Sequence, residues 1–209
     1  MVGRIIQGDE DVAEGAAWLA ARHKEFARIL PELGPLPLRR RADGFAALLD
    51  AIVGQQVSTA SARAIWARLD AAGLTDQAAV AMAEDEALRA AGLSRQKIRY
   101  ARALAQAGVD FHGLRGVPDD ELVAVLVALP GIGRWTAEIY AMFALGRADV
   151  FAPGDLALQE AARALFDLPQ RPSEKELRLM AEAWTPWRSV AARALWAYYR
   201  VVKSREGIR

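Results

Sequence analysis

The sequence contains no cysteine and only two histidines, His23 and His112. The lack of cysteine excludes a disulfide framework, a thiolate zinc site and an iron–sulfur cluster. Two histidines are too few for the usual histidine-based metal sites. We therefore expect a protein that works without a metal ion or any other cofactor.

Long apolar runs are also missing. The longest one, from Leu122 to Leu129, is far shorter than the roughly 20 residues that a membrane-spanning helix needs. The N-terminal residues MVGRIIQGDED contain no apolar stretch like that of a secretory signal. We therefore expect a cytoplasmic protein that makes no membrane contact.

The chain has no excess of either charge, since 27 Lys and Arg residues face 26 Asp and Glu residues. Binding to nucleic acid would therefore depend on local surfaces rather than on overall charge. Hydrophobic residues make up 53% of the 209 residues. This amount is sufficient for one large domain, or for two small lobes around a sizeable core.

Runs of β-branched residues are scarce and alanine is frequent, which favours helix. Apolar residues recur at helical spacing along most of the chain and predict about ten short helices and no strand. One predicted helix runs from Asp9 to Leu30 and ends at Pro31. Pro118 begins another that ends at Leu129, and a third covers residues 134–144. The predicted fold class is all-α.

Two further patterns concern single side chains. Trp18, Trp66 and Trp184 stand in apolar helical patterns, so we predict that they belong to the core. The helix that begins at Ser94 carries a run of basic residues with no acid between them, namely Arg95, Lys97, Arg99 and Arg102. We predict a solvent-exposed basic face, with contact to a nucleic-acid backbone as the alternative.

A short segment with two glycines, from Leu129 to Arg134, links two of the predicted helices. Glycine permits positive φ, so the chain can reverse within very few residues, and Ile132 can fill the crease between the helices. The first N–H groups of the second helix can then bind an anion without a charged side chain. The alternative is a plain helix–helix connection with no ligand.

Asp155 follows Pro153 and Gly154 and precedes an alanine-rich helix. A carboxylate at this position is either a helix N-cap or a group that takes part in chemistry. Both interpretations stay open on these residues alone.

Several of these segments together resemble the helix-hairpin-helix (HhH-GPD) DNA glycosylases, and most strongly the bacterial DNA-3-methyladenine glycosylase II type. They are LPGIGRWTA, DVFAPGD and AWTPWRSVAARALW, with AIVGQQVS and GLSRQKIR upstream. The resemblance covers about residues 45–200. It implies one unit over residues 1–209 made of two helical lobes, with the active site in the cleft between them. One lobe is about 43–147, with the hairpin 129–134, and the other is about 1–42 plus 148–209.

The resemblance also implies roles for single residues. Asp155 matches the catalytic aspartate, and Trp135 and Trp196 match aromatic positions of the base pocket. Gln55 and Gln56 match the segment that fills the gap left by a flipped nucleotide. Contacts to the DNA backbone would come from the hairpin and the helix that follows it, namely from Leu129, Gly131, Ile132, Gly133, Arg134 and Thr136.

Three departures from longer family members are visible. No N-terminal β-rich lobe is present, so the chain resembles a short form. Ile139 replaces a tyrosine of some longer members, and Gly154 stands where they carry another aspartate. Asp155 is then the one carboxylate of this segment to which the resemblance assigns catalysis.

The implied activity is that of a monofunctional DNA glycosylase, acting as a monomer in base excision repair. It would flip an alkylated base of the 3-methyladenine type out of double-stranded DNA. Trp135 and Trp196 would stack on the positively charged ring, and Asp155 would stabilise positive charge at C1′. Bifunctional members carry a lysine at the position of Trp135. We therefore expect water as the nucleophile and an abasic site as the product.

Two alternatives stay open. One is a glycosylase for a neutral base such as uracil or hypoxanthine. The other is a non-catalytic helix-hairpin-helix DNA-binding protein in which Asp155 is only a helix cap.

Overall fold

The computed structural model of the protein describes residues 2–205 and 207. Within these residues there are two 3₁₀ turns, Gly113–Gly116 and Glu182–Trp184, and one isolated antiparallel bridge between Ile5 and Arg147. The predicted all-α fold class is confirmed. The twelve α-helices of the described residues are α1 (Asp9–Arg22), α2 (Lys24–Leu33), α3 (Phe45–Gly54), α4 (Thr59–Ala71), α5 (Gln77–Met82), α6 (Asp85–Ala90), α7 (Arg95–Gln106), α8 (Asp119–Val127), α9 (Arg134–Phe143), α10 (Leu156–Leu165), α11 (Glu174–Ala181) and α12 (Arg188–Arg205).

The helices form two compact units. The first, the hairpin unit, contains residues 41–140, and the second, the terminal unit, combines residues 2–40 with the described residues after 140. In the hairpin unit, α3 packs against α4 and α7, and α7 also contacts α5 and α6. The apolar side chains of α3, among them Leu48, Leu49 and Ile52, are fully buried and form the centre of this core.

In the terminal unit the long helix α12 packs against α10, α1 and α2. Gly15 of α1 lies directly on α12, because a Cβ atom at Gly15 would be 2.7 Å from both Trp187 and Val190. Trp184, which is 2% exposed, contacts the rings of Phe26, Phe151 and Phe166. This aromatic cluster forms much of the core of the terminal unit.

The predicted helix from Asp9 to Leu30 is wrong in two respects, because the structure divides it into α1 and α2 at His23 and α2 continues past Pro31 to Leu33. The backbone of His23 is extended, with φ −131° and ψ 109°, and its ring hydrogen-bonds to the Ala183 carbonyl at 3.1 Å. Pro31 lies inside α2 and does not end it. A proline inside a helix removes one backbone hydrogen bond, and α2 ends two residues after Pro31, at Leu33.

The core prediction for three tryptophans is right for Trp184 and wrong for Trp18 and Trp66, which are only half-buried. Trp18 has the Arg22 guanidinium 4.4 Å from its ring centroid, so a cation rather than apolar side chains covers part of it. No helix among residues 2–205 is both long enough and apolar enough to cross a membrane.

Candidate functional site

The hairpin of the first unit lies between α8 and α9. Gly131 has a φ of +87°, and the N–H of Ile132 donates to the Leu129 carbonyl at 3.0 Å. Leu129 and Ile132 are buried, with 8% and 4% of their surface exposed. Both residues are therefore largely enclosed by the protein.

The two glycines of the hairpin have different reasons to be glycine. A Cβ atom at Gly131 would lie 2.5 Å from the Tyr100 ring, so both its positive φ and this close packing exclude a side chain. Gly133 does not have positive φ, and its Cβ position meets no atom within 4 Å. The expectation that both glycines reverse the chain is thus wrong for Gly133, which keeps open space in front of α9.

The open space at Gly133 lies at the start of α9. The Gly133 carbonyl accepts from the N–H of Ala137 at 3.0 Å, while the preceding N–H groups have no acceptor inside the helix. Thr136 is buried, with 8% of its surface exposed. The Arg134 guanidinium donates to the buried Glu138 carboxylate at 3.1 Å. Anion binding by the main-chain N–H groups at the start of α9 stays a prediction.

The segment after α3 is attached to the same hairpin. Gln55 Nε2 donates to the Gly131 carbonyl at 2.8 Å, whereas the next residue, Gln56, is exposed and has a φ of +56°. Positive φ is strained for a residue other than glycine and is found mostly at functional sites. Gln55 therefore holds the segment in place, and Gln56 projects from it.

Lys97 holds the end of α3, from which this segment continues. Its Nζ donates to the Val53 carbonyl in the last turn of α3 at 2.6 Å, and burial lowers the pKa of the ammonium group. Arg102 of the same helix donates to Asp85 at 2.8 Å. The predicted basic face of α7 is therefore wrong for these two residues and correct for Arg95 and Arg99, which are exposed.

A polar groove of about 510 Å³ runs between the hairpin, the segment after α3 and the start of α7. Its walls include Gln56, Gln96 and Tyr100, with Gln96 Nε2 donating to the Tyr100 hydroxyl at 2.6 Å. The Arg99 guanidinium lies 5.8 Å from the Tyr100 ring centroid. The groove thus joins the exposed Gln56 to the hairpin, with the guanidinium group of Arg99 beside the Tyr100 ring.

Asp155, in the terminal unit, is the N-cap of α10. Its Oδ1 accepts from the N–H groups of Ala157 and Leu158 at 2.9 and 3.1 Å. The same oxygen accepts from the indole Nε1 of Trp196 at 3.2 Å. The predicted capping function is therefore present, and the carboxylate is also joined to one of the predicted pocket tryptophans.

Trp196 is half-buried and has two further neighbours. Its ring centroid is 5.7 Å from that of Phe143, and the Arg39 guanidinium lies 5.9 Å from it on the terminal unit. Trp135, in the first turn of α9, belongs to the hairpin unit and is 47% exposed, which is unusual for tryptophan. Its part in a base pocket stays a prediction.

No group of three or more His, Cys, Asp or Glu side chains lies close enough together to hold a metal ion in the part of the chain that the structure describes.

The segments described above also match known proteins. The profile of the HhH-GPD superfamily base excision DNA repair proteins matches residues 49–188. The chain belongs to this superfamily. The matched residues include the segment after α3, the hairpin and Asp155, but not Trp196. The predicted family is therefore confirmed.

Three relatives of this HhH-GPD protein illustrate the similarity. A DNA-3-methyladenine glycosidase of Bacillus halodurans has a solved structure with a TM-score of 0.83, 32% identity, and coverage of 97% of this chain and 95% of that one. The Schizosaccharomyces pombe 3-methyladenine DNA glycosylase in complex with abasic DNA has a TM-score of 0.74, 27% identity, and coverage of 88% and 95%. DNA-3-methyladenine glycosylase 2 of Escherichia coli is 30% identical over 168 residues, which are 74% of this chain and 57% of that protein.

Several residues of the site are not among the site residues that the sequence predicts. Tyr100 supports Gly131, Lys97 holds the end of α3, and Phe143 and Arg39 surround Trp196. The run Arg39–Arg41 is visible in the sequence as a cluster of charge. Its contact with a tryptophan more than 150 residues away has no local signal.

The hairpin glycines lead to a testable prediction. Replacing Gly131 by alanine should lower the free energy of unfolding by about 1–3 kcal/mol, because the methyl group overlaps Tyr100 and φ is positive. Gly133→Ala, the matched control, should lower stability by less, because its methyl group meets no atom within 4 Å and only the preference of an N-cap for glycine over alanine is lost. Chemical denaturation of both variants measures the difference. Equal losses of stability would show that the two glycines have the same structural role.

Proposed function

We propose that the protein is a monofunctional DNA glycosylase that excises alkylated bases of the 3-methyladenine type from double-stranded DNA. The observation that carries this proposal is the hydrogen bond between Asp155 and Trp196, which joins a carboxylate to an aromatic surface. The 3-methyladenine glycosylases among the relatives support the enzyme class and the partner. Action as a monomer, and lobes of about residues 43–147 and 1–42 with 148–209, are parts of the same proposal.

The reaction begins with a base that has left the duplex, because a stacked base cannot reach a catalytic group. Gln56 projects from the segment that Gln55 fastens to the hairpin, so we assign the filling of the gap to Gln56. Gln55 then has the supporting role. This refines the expectation that both glutamines fill the gap.

Bond cleavage needs a negative charge near C1′. The alkylated purine leaves with the electron pair of the glycosidic bond, and positive charge develops on the sugar. Three N–H donors fix Oδ1 of Asp155, so the carboxylate does not have to reorient when that charge appears. Water then adds to C1′ and loses a proton, which gives an abasic site and an intact strand.

The direct test is a product assay on methylated DNA. The protein should release alkylated bases, identified by mass spectrometry, and leave abasic sites that break only after alkali or heat. The reason is that Trp135 stands where a Schiff-base lysine would be. Borohydride treatment during the reaction should trap no covalent protein–DNA adduct. Stoichiometric trapping would show lyase chemistry, and release of no damaged base would refute the glycosylase itself.

The hairpin should bind the DNA backbone through its main chain and therefore without regard to sequence. Gly133→Ala should weaken binding to damaged and undamaged duplex by a similar factor, because its methyl group occupies the open space before α9. Fluorescence anisotropy on both duplexes measures this. Unchanged affinity for the undamaged duplex, together with slower excision, would exclude the hairpin as the backbone contact.

Because Asp155 is the N-cap of α10, a second candidate function is that of a DNA-binding protein without catalysis. Asp155→Asn separates the two functions. The asparagine Oδ1 can still accept the three N–H groups, so stability should change little. Removing one neutral donor at such a site already costs about 10²–10³ in rate, and the loss of a charge should cost at least as much for a neutral lesion.

For a cationic base such as 3-methyladenine the loss should be smaller, since the substrate itself weakens the bond. Single-turnover excision and thermal unfolding of the same variant decide between the candidates. A variant that is clearly less stable and yet excises at the wild-type rate would assign Asp155 to the cap alone.

A further inference from the structure

One charged segment beside Trp196 has no function in the proposed reaction. We call residues Leu38–Arg40 the arginine strap. The Leu38 carbonyl accepts from the Arg193 guanidinium at 2.9 Å, and Arg40 Nη1 donates to the Ala144 carbonyl at 2.9 Å. Both ends of the strap are thus fixed to the terminal unit by hydrogen bonds from guanidinium groups.

The anchor of the strap is itself an unusual group. Arg193 is 1% exposed, donates to the carbonyl and the hydroxyl of Ser189, and lies 4.7 Å from the Phe143 ring centroid. Its pKa is lowered to about 10, first by burial and then by the positive charges of Arg39 and Arg40. Burying a cation costs free energy unless the group is hydrogen-bonded. The hydrogen bonds of Arg193 to Ser189 and to the Leu38 carbonyl therefore stabilise both the buried guanidinium and the position of the strap.

Between the two anchors, Arg39 adopts a φ of +54°. This left-handed conformation is strained for arginine and persists only where surrounding contacts determine it. It places the Arg39 guanidinium 5.9 Å from the centroid of the Trp196 ring, whose Nε1 donates to Asp155. The strained backbone therefore presents a positive charge to the aromatic ring that is bonded to the proposed catalytic carboxylate.

We infer that Arg39 is a specificity-determining residue, which shifts the enzyme from positively charged alkylated bases toward neutral damaged bases. This inference rests on the proposed function. A cationic base gains from stacking on tryptophan through cation–π attraction. With the Arg39 guanidinium already at Trp196, such a base meets a competitor for the ring and a like charge within a few ångströms. A neutral base competes with Arg39 for the Trp196 ring but is not repelled by its charge.

The test compares a cationic and a neutral lesion in the same duplex sequence, 7-methylguanine and hypoxanthine. Arg39→Met keeps the aliphatic stem and removes the charge, so kcat/KM for 7-methylguanine should rise about tenfold relative to that for hypoxanthine. Arg39→Lys keeps the charge and should stay near the wild-type ratio. Arg171→Met is the matched control, since Arg171 is an exposed arginine of the same unit that pairs with Glu160.

Three results would overturn the inference. Equal losses for both lesions, with weaker binding to undamaged duplex, would make Arg39 a phosphate contact. An unchanged ratio with a lower unfolding temperature would make it structural only. A rise in Arg39→Lys equal to that in Arg39→Met would show that shape rather than charge decides. If the wild-type protein releases neither base, the proposed function itself fails, whereas release with an unchanged ratio contradicts this inference alone.

Discussion

The hydrogen bonds to one oxygen of Asp155 connect the start of α10 with α12 in the terminal unit. This oxygen ends α10 at its N-terminus and at the same time fixes the indole of Trp196 on α12. A carboxylate held by N–H donors is positioned before substrate arrives, and such preorganisation is what stabilises developing charge. The capping function and the proposed catalytic function therefore depend on the same geometry and do not exclude each other.

Trp196 in turn links Asp155 to the cations of this unit. Phe143 lies between Trp196 and the buried Arg193, and Arg39 reaches the tryptophan from the arginine strap. The carboxylate of Asp155 thus contacts one aromatic ring, Trp196, which in turn lies near Phe143 and the Arg39 guanidinium. We propose that the balance among these charges decides which base the enzyme prefers.

With a net charge of only +1, binding to DNA must depend on local surfaces of the protein. In the hairpin unit we propose that the main chain at the start of α9 supplies part of the DNA contact, because the Cβ position of Gly133 meets no other atom within 4 Å and Arg134 is paired with Glu138. Gln55 and Tyr100 both contact Gly131, so the hairpin and the projecting Gln56 are held in one arrangement. A nearly neutral surface can in this way combine backbone binding with insertion into the helix.

Features that depend on near neighbours in the chain could be predicted from the sequence. The all-α class follows from composition and periodicity, the hairpin from the spacing of its glycines, and the cap from Asp155 ahead of an alanine-rich helix. The break at His23, the burial of Lys97 and the different roles of Gly131 and Gly133 were decided by the tertiary structure. Each depends on a distant partner, namely Ala183, Val53 and Tyr100. The contact of Arg39 with Trp196 belongs to the same group, because a strained backbone angle and two anchors far apart in sequence produce it. Local patterns carry propensities and caps, whereas contacts between distant residues arise only when the helices pack.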